Sequence, residues 1–206
     1  LGYIKFQDSA GSTGASMGGR ADNTWSGSSR PTHLLFYTTP SGSNSSSERM
    51  RIHSDGYVTT PSQPAFAARL NSNVDITSNT GNDLVFNLEE FDNHNDYDTS
   101  NGRFTAPIAG KYYFGVQLYA GFDGNGVRVM HSHFRVNGTS VAQTDMFGGA
   151  SNHGGSMYHP NAVGHMIRNL NANDYVTFNL GGFSHTNGQA ILYASTGNRF
   201  FGYLIG

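Results

Sequence analysis

Cysteine is absent from the 206 residues, which excludes disulfide staples and thiolate metal sites and is compatible with assembly in a reducing compartment. Charge is sparse. Only 13% of residues are charged, glutamate occurs just at Glu48, Glu89 and Glu90, and the formal net charge is −2. Twelve Lys plus Arg form no basic stripe of the kind that holds phosphate backbones, so nucleic acid is not an expected partner. No apolar run approaches the ~20 residues that span a bilayer, so membrane insertion is not expected either. A basic-then-apolar leader pattern is missing at the start, and the chain opens on Leu1, which reads as part of something longer. At this length one large domain, or a domain with an appendage, buries a core without staples.

What the chain has in quantity is glycine, 27 residues, with abundant asparagine and serine, a balance that suits β structure with many tight turns. Residues 1–60 offer short β segments, "GYIKF", "HLLFYTT" and "RMRIHSDGYVTT", separated by Gly/Ser-rich pieces such as "GSTGASMGG" and "SGSNSSS". That stretch holds too few apolar residues to close a core alone, so it stays flexible or packs against copies of itself. Pro61 and Pro64 mark a boundary, with a second domain over 61–206.

Beyond the boundary, period two dominates. In "YYFGVQLYA" Phe114, Val116 and Leu118 share one face while Tyr113, Gln117 and Tyr119 share the other. In "RVMHSHFRV" Phe134 and Val136 oppose His131, His133 and Arg135, and "DYVTFNL" sends Val176, Phe178 and Leu180 inward. Asn-Gly pairs at 101, 125, 137 and 187 and Asp-Gly pairs at 55 and 123 fall where hairpin turns need positive φ. The last strand, "RFFGYLIG", is apolar on both faces, as expected of a central strand buried on both sides, or of one buried on one side and in a subunit interface on the other. No stretch of twelve residues carries a helical period, and the expectation for 61–206 is an antiparallel β-sandwich or jelly roll.

"AFAARL", "YDTSNGRFTAPIAGKYYFGV", "VNGTSV", "LNANDYVTF" and "FFGYLIG" resemble, in order and spacing, the C1q domain, the trimeric jelly roll of the C1q and tumour-necrosis-factor superfamily. Phe66, Tyr97, Gly102, Phe104, Pro107, Gly110, Tyr112, Phe114, Phe200, Gly202 and Leu204 fall on the family's pattern. Asn173 stands before Asp174 where glycine is usual, a change that a left-handed Asn tolerates. The resemblance implies a homotrimer, with Tyr112, Phe114, Val116, Phe200, Phe201 and Tyr203 expected in the trimer core or interface.

The amino-terminal "LLFYTTPSGSNSSSERMRIHSDGYVTT" is similar to a segment of bacteriophage tail-fibre and other virion appendage proteins. Glu48, Arg49, Met50, Arg51, Ile52, Ser54, Gly56 and Val58 match its pattern, and His53 replaces the usual Asp. Together the two resemblances imply a homotrimeric phage fibre or knob, on tail or capsid, assembled with other virion proteins in the host cytoplasm. Residues 1–60 would be its stem, and the head would trimerise and attach to a host-surface polysaccharide. The alternative is a secreted C1q-like lectin or pattern-recognition protein.

The candidate chemistry is that of binding. "DMFGGASNHGGSMYHPN" carries Phe147, His153, Tyr158 and His159, aromatic and polar groups that suit sugar rings on a loop, with a disordered loop or one packed into the trimer as the other reading. Several C1q-like domains hold calcium in apical loops. Here "GFDGNGV" offers Asp123 and Asn125, and "FDNHNDYD" offers Asp92, Asp96 and Asp98, all hard oxygen donors on turns. Asp98 is expected to cap the 98–102 turn. His131 and His133, or His165 nearer the axis, could meet their copies around a three-fold axis as metal ligands, with solvated or interface histidines as the default. No catalytic motif is present, and Glu89 and Glu90, adjacent on a strand, point to opposite faces and cannot flank one bond. No enzyme is expected.

Overall fold

Alternating apolar positions punctuated by turn residues build strands throughout. The computed structural model describes residues 2–76, 81–122, 127–149, 161–184 and 190–206, with 122, 127–130, 145–149, 161, 182–184 and 190 described in backbone only. It divides into two compact units, Leu1–Gln63 and Pro64–Gly206.

The first unit is a single five-stranded antiparallel meander: β1 (Tyr3–Gln7), β2 (Thr13–Ala21), β3 (Thr32–Thr38), β4 (Ser47–Ile52) and β5 (Val58–Thr59), paired in that order. Asp8 shapes the first turn, its carboxylate accepting from the Ala10 and Ser12 N–H groups at 2.9 Å each. Gly56, at φ 91°, closes the last. The "GSTGASMGG" stretch, expected as a connector, is mostly strand β2. Its glycine content hid it from a propensity reading, yet Gly18 is required there: a Cβ would lie 2.5 Å from Cδ1 of Tyr3 on the neighbouring strand.

The second unit is a two-layer sandwich. One layer orders β13 (Thr139–Gly149), β12 (Val127–Val136), β15 (Tyr175–Ser184), β10 (Arg103–Thr105) and β9 (Tyr97–Asp98). The other orders β7 (Val74–Asp75), β16 (Ala190–Leu192), β11 (Gly110–Phe122), β17 (Arg199–Leu204), β6 (Ala65–Arg69) and β8 (Leu88–Asp92), with β14 (Asn161–Leu170) also on β11. Strand β8 begins four residues later than "LVFNLEEF" suggests.

Between the layers Phe66 is a hub. Its ring stacks on Tyr97 at 4.7 Å and Phe104 at 5.0 Å and meets Phe200 edge-on at 5.1 Å. Tyr112, Phe114, Val116 and Leu118 come down from β11, and Phe134, Val176 and Phe178 come up from the facing layer, all buried. Asn137 and Gly138, both at positive φ, form the β12–β13 turn, and Asn173 adopts φ 71° where the family has glycine.

One buried polar side chain sets the shape of β11. This strand pairs with β17 up to Gln117 and with β16 from Ala120, so the ladder changes partner around Tyr119, whose carbonyl accepts from the Tyr193 N–H at 3.4 Å. Asn198, fully buried, sits at this change. Its Oδ1 accepts from the Tyr119 N–H at 2.8 Å, and its Nδ2 donates to the Tyr119 and Tyr193 carbonyls at 2.8 and 2.7 Å.

Candidate functional site

The face of β14–β11–β17–β6–β8 turned away from the core is uncovered, and its composition is not that of a solvated surface. Register sets side chains beside one another in rows. Ile167, Tyr113, Tyr203 and Ala65 form one row; His165, Gly115, Phe201, Ala67 and Phe91 form the next; Val163, Gln117, Arg199 and Arg69 form the third. Val163 is 68% exposed and Ile167 60%, with Phe91 and Tyr203 about half-exposed.

The rings are ordered among themselves. Tyr113 lies 5.3 Å from Tyr203 and 6.3 Å from Phe201, and stacks near-parallel on His165. Phe201 lies flat across Gly115, where any Cβ would collide with its ring, so glycine at 115 holds the ring down on the sheet. Phe91 and Phe201 wall a groove of about 390 Å³ with Ala67 beneath. At the groove's edge Glu90 takes both carboxylate oxygens to Arg199 at 2.6–2.7 Å, with Arg69 Nε 3.7 Å away. Charge is thus confined to the margins of an apolar face, with this cluster at one end and the exposed Lys111 beside Asn169 at the other. Contiguous apolar surface of this kind marks a protein contact.

Against this geometry the six residues expected in the trimer core or interface divide. Tyr112, Phe114, Val116 and Phe200 are fully buried in the core of their own chain; the Tyr112 hydroxyl donates to the Ile108 carbonyl at 2.9 Å. Parity explains it: on β11 the even positions face the core, so the open face belongs to the odd ones. Phe201 and Tyr203 do lie on the open face, together with Tyr113, Val163, Ile167 and Phe91, which sequence reasoning did not select. The signal was available in the alternation of "AVGHMIRNL" (162–170), where Ala162, Met166 and Leu170 are buried and the apolar Val163 and Ile167 are not.

Of the recognition and metal candidates, His153, Tyr158, His159, Asp123 and Asn125 lie outside the described residues, as does the side chain of Phe147 on β13. His131 and His133 stand on the outer side of β12, on the layer opposite the open face; His131 Nδ1 is 3.5 Å from Gln143 Nε2, and the His133 ring packs over Gly181. Among the described residues no group of three or more His, Asp or Glu side chains could hold a metal ion. The acidic turn explains itself internally. Asp92 accepts from the His94 and Tyr97 N–H groups at 3.1 and 2.7 Å. Asp98 accepts from the Ser100 hydroxyl and N–H at 2.6 and 2.8 Å and from Asn101 at 2.6 Å, bonds that hold its carboxyl below the usual range.

Asp96 differs. Burial, reinforced by the charge of Asp92, pushes its carboxyl up, and its Oδ2 is buried without a partner. A carboxyl whose folded pKa exceeds its unfolded value of ~3.9 costs stability once it ionises, so this cost is absent at low pH and grows as pH rises through the folded pKa. Asp96→Asn is therefore expected to raise the melting midpoint at pH 7, with the difference from the parent gone by about pH 3. Melting curves of both proteins across that range check it; an equal gain at pH 3 would assign the effect to packing instead.

Residues 65–205 match the C1q domain family. The chain belongs to the C1q domain family. Its C1q domain is similar in fold to the globular domain of zebrafish complement 1qA protein, with a TM-score of 0.50 at 17% identity over 70% of this chain and 98% of that one. Eiger TNF from S. frugiperda is more distant, with a TM-score of 0.45 at 10% identity over 69% and 91% of the two chains. A comparison with curated protein sequences finds no match. The C1q domain is a non-catalytic scaffold. None of these relatives is a virion protein, and the virion expectation gains nothing from them.

Proposed function

We propose that this chain is a self-assembling recognition protein. Its C1q-like head joins three copies through the open face of β14–β11–β17–β6–β8 and presents loops to a surface ligand of carbohydrate type. The observation that carries the reading is that face, apolar across most of the Ile167–Tyr113–Tyr203–Ala65 and His165–Gly115–Phe201–Ala67–Phe91 rows, with charge at its margins. In a three-fold assembly each copy offers one part of the face and receives another, a heterologous contact that closes on itself. The ligand part rests on Phe147, His153, Tyr158 and His159, whose residue types suit sugar rings. A secreted lectin or pattern-recognition protein is the setting that the family favours. The second reading, a phage tail fibre or capsid appendage attaching to host polysaccharide, is favoured by the Leu1–Gln63 meander, whose β4 carries the "ERMRI" motif.

Two measurements test the proposal. Light scattering on the full chain is expected to give three times the 22.2 kDa of one copy, and a monomeric mass would end it. On a glycan array, Tyr158→Ala with His159→Ala is expected to lose binding by about tenfold or more while the mass stays trimeric, since truncating the anchor of a binding site costs about 2 kcal/mol or more. Unchanged binding would remove the loop from the reading. Antibody to residues 64–206 labelling intact virions would decide for the fibre.

A further inference from the structure

The Leu1–Gln63 unit is one sheet with two unlike faces. On one, the structure is self-sufficient: Leu35 is fully buried, Tyr3 leans on Tyr37 at 6.3 Å, and Glu48 takes both Arg51 bonds at 2.7 and 2.9 Å. The other face is apolar and unfilled. Its central row is Ile4, Met17, Phe36 and Met50; the next row carries Leu34, Ile52 and Val58; Phe6 stands on the far side. None of these eight side chains is buried, and Ile4 and Phe6 are 61% and 59% exposed. An amphipathic sheet of one layer needs a second layer on its apolar side.

We propose that the missing layer is the same face of the other copies, so that three meanders close an interchain core around the assembly axis. The inference rests on the trimeric reading of the head. Among the described residues the charge that reaches the face is the Arg49 guanidinium at one corner, on Thr38 Oγ1 at 2.9 Å and Ser62 Oγ at 2.9 Å; so apolar a face does not suit a polyanion or a hydrated glycan and does suit a copy of itself. Its size points the same way. Eight apolar side chains on one face of a small sheet form the kind of contiguous patch that marks a contact, on a unit smaller than those that supply the ~800 Å² per partner of a free-standing complex. Such a face works where copies are held at high local concentration. Here β5 ends at Thr59, a single turn closed by the Gln63 N–H on the Thr60 carbonyl follows at 3.0 Å, and the head begins at Pro64. A tether of a few residues on a trimeric head gives an effective concentration of about millimolar.

The cysteine-free chain allows a direct test in the full-length protein. Met17 and Ser16 are neighbours on β2 facing opposite ways, so Met17→Cys and Ser16→Cys carry a thiol to the apolar and the polar face respectively. With a short bis-maleimide, Met17→Cys is expected to give covalent dimers at about ten times the yield of Ser16→Cys, a ratio set by proximity within one assembly. Met17→Asp is expected to keep a trimeric mass while amide exchange in β1–β5 accelerates by about tenfold or more. Equal cross-linking of the two thiols in a protein of trimeric mass overturns this inference and leaves the head reading standing. A Met17→Cys thiol that is shielded but not cross-linked also overturns it, because something other than a copy covers the face. A monomeric mass overturns both.

Discussion

Val163→Asp with Ile167→Asp is expected to leave the full chain folded and turn it from trimer to monomer. Both side chains stand on β14 among the most exposed apolar residues of the open face, so replacing them removes nothing from the core of a single copy. Antiparallel pairing of β14 with β11 is a backbone matter, and Asp at these outward positions leaves the ladder of Val163 with Gln117 and Ile167 with Tyr113 intact. At a three-fold contact the pair places six carboxylates in apolar surroundings, and each unpaired ion costs several kcal/mol to bury. Separation then exceeds what a standard interface recovers. Light scattering gives the mass and circular dichroism the fold. A β spectrum with one-third of the parent mass is the expected result, and an unchanged mass would show that copies meet elsewhere.

Phe66→Ala is expected to cost about 3–5 kcal/mol, the usual range for a large aromatic removed from a packed interior. The ring sits among Tyr97, Phe104, Phe114 and Phe200, with centroids 4.7–6.4 Å away. Those neighbours belong to both layers of the sandwich, so neither layer can collapse alone into the void. The melting midpoint of the head falls by about 10–20 °C on the usual scaling for a domain of this size. Measured in the Val163→Asp, Ile167→Asp background, the loss reports a single copy and not the assembly. Phe201→Ala in that background is expected to change the midpoint by only a few degrees, because its ring lies on the open face. A comparable loss for Phe201 would mean that it serves the fold as much as the contact.

The parity of β11 and β17 was legible because each strand alternates cleanly, and so was the core of Phe114, Val116, Leu118, Val176 and Phe178. Turn positions were equally readable, since Gly56, Gly102, Asn137 and Asn173 need positive φ and few residue types supply it. Placing Tyr112, Phe114, Val116, Phe200, Phe201 and Tyr203 in a trimer core or interface leaves open which of them are core, and the structure buries the first four in their own chain. Alternation says that two faces differ but not which of them meets the other sheet. That depends on pairing across fifty or more residues, as with Phe114 opposite Gly202 and Met166. Strand β2 was missed because its glycines lower any propensity sum, whereas their value lies in the close approach of Tyr3. Asn198 could not be singled out among so many asparagines, since its role comes from a change of partner along β11.

Local chemistry in the sequence alone settled the strand-rich class, the hairpin positions, the family pattern from Phe66 to Leu204 and the lack of stapling, because turn dihedrals and period-two alternation are properties of neighbouring residues. Tertiary structure decided which aromatics are core and which are open, where β11 changes partner, and that the amino-terminal sheet keeps an apolar face uncovered. Those outcomes depend on register between distant strands, and a shift of one residue would exchange the two faces while leaving the pattern along the chain unchanged.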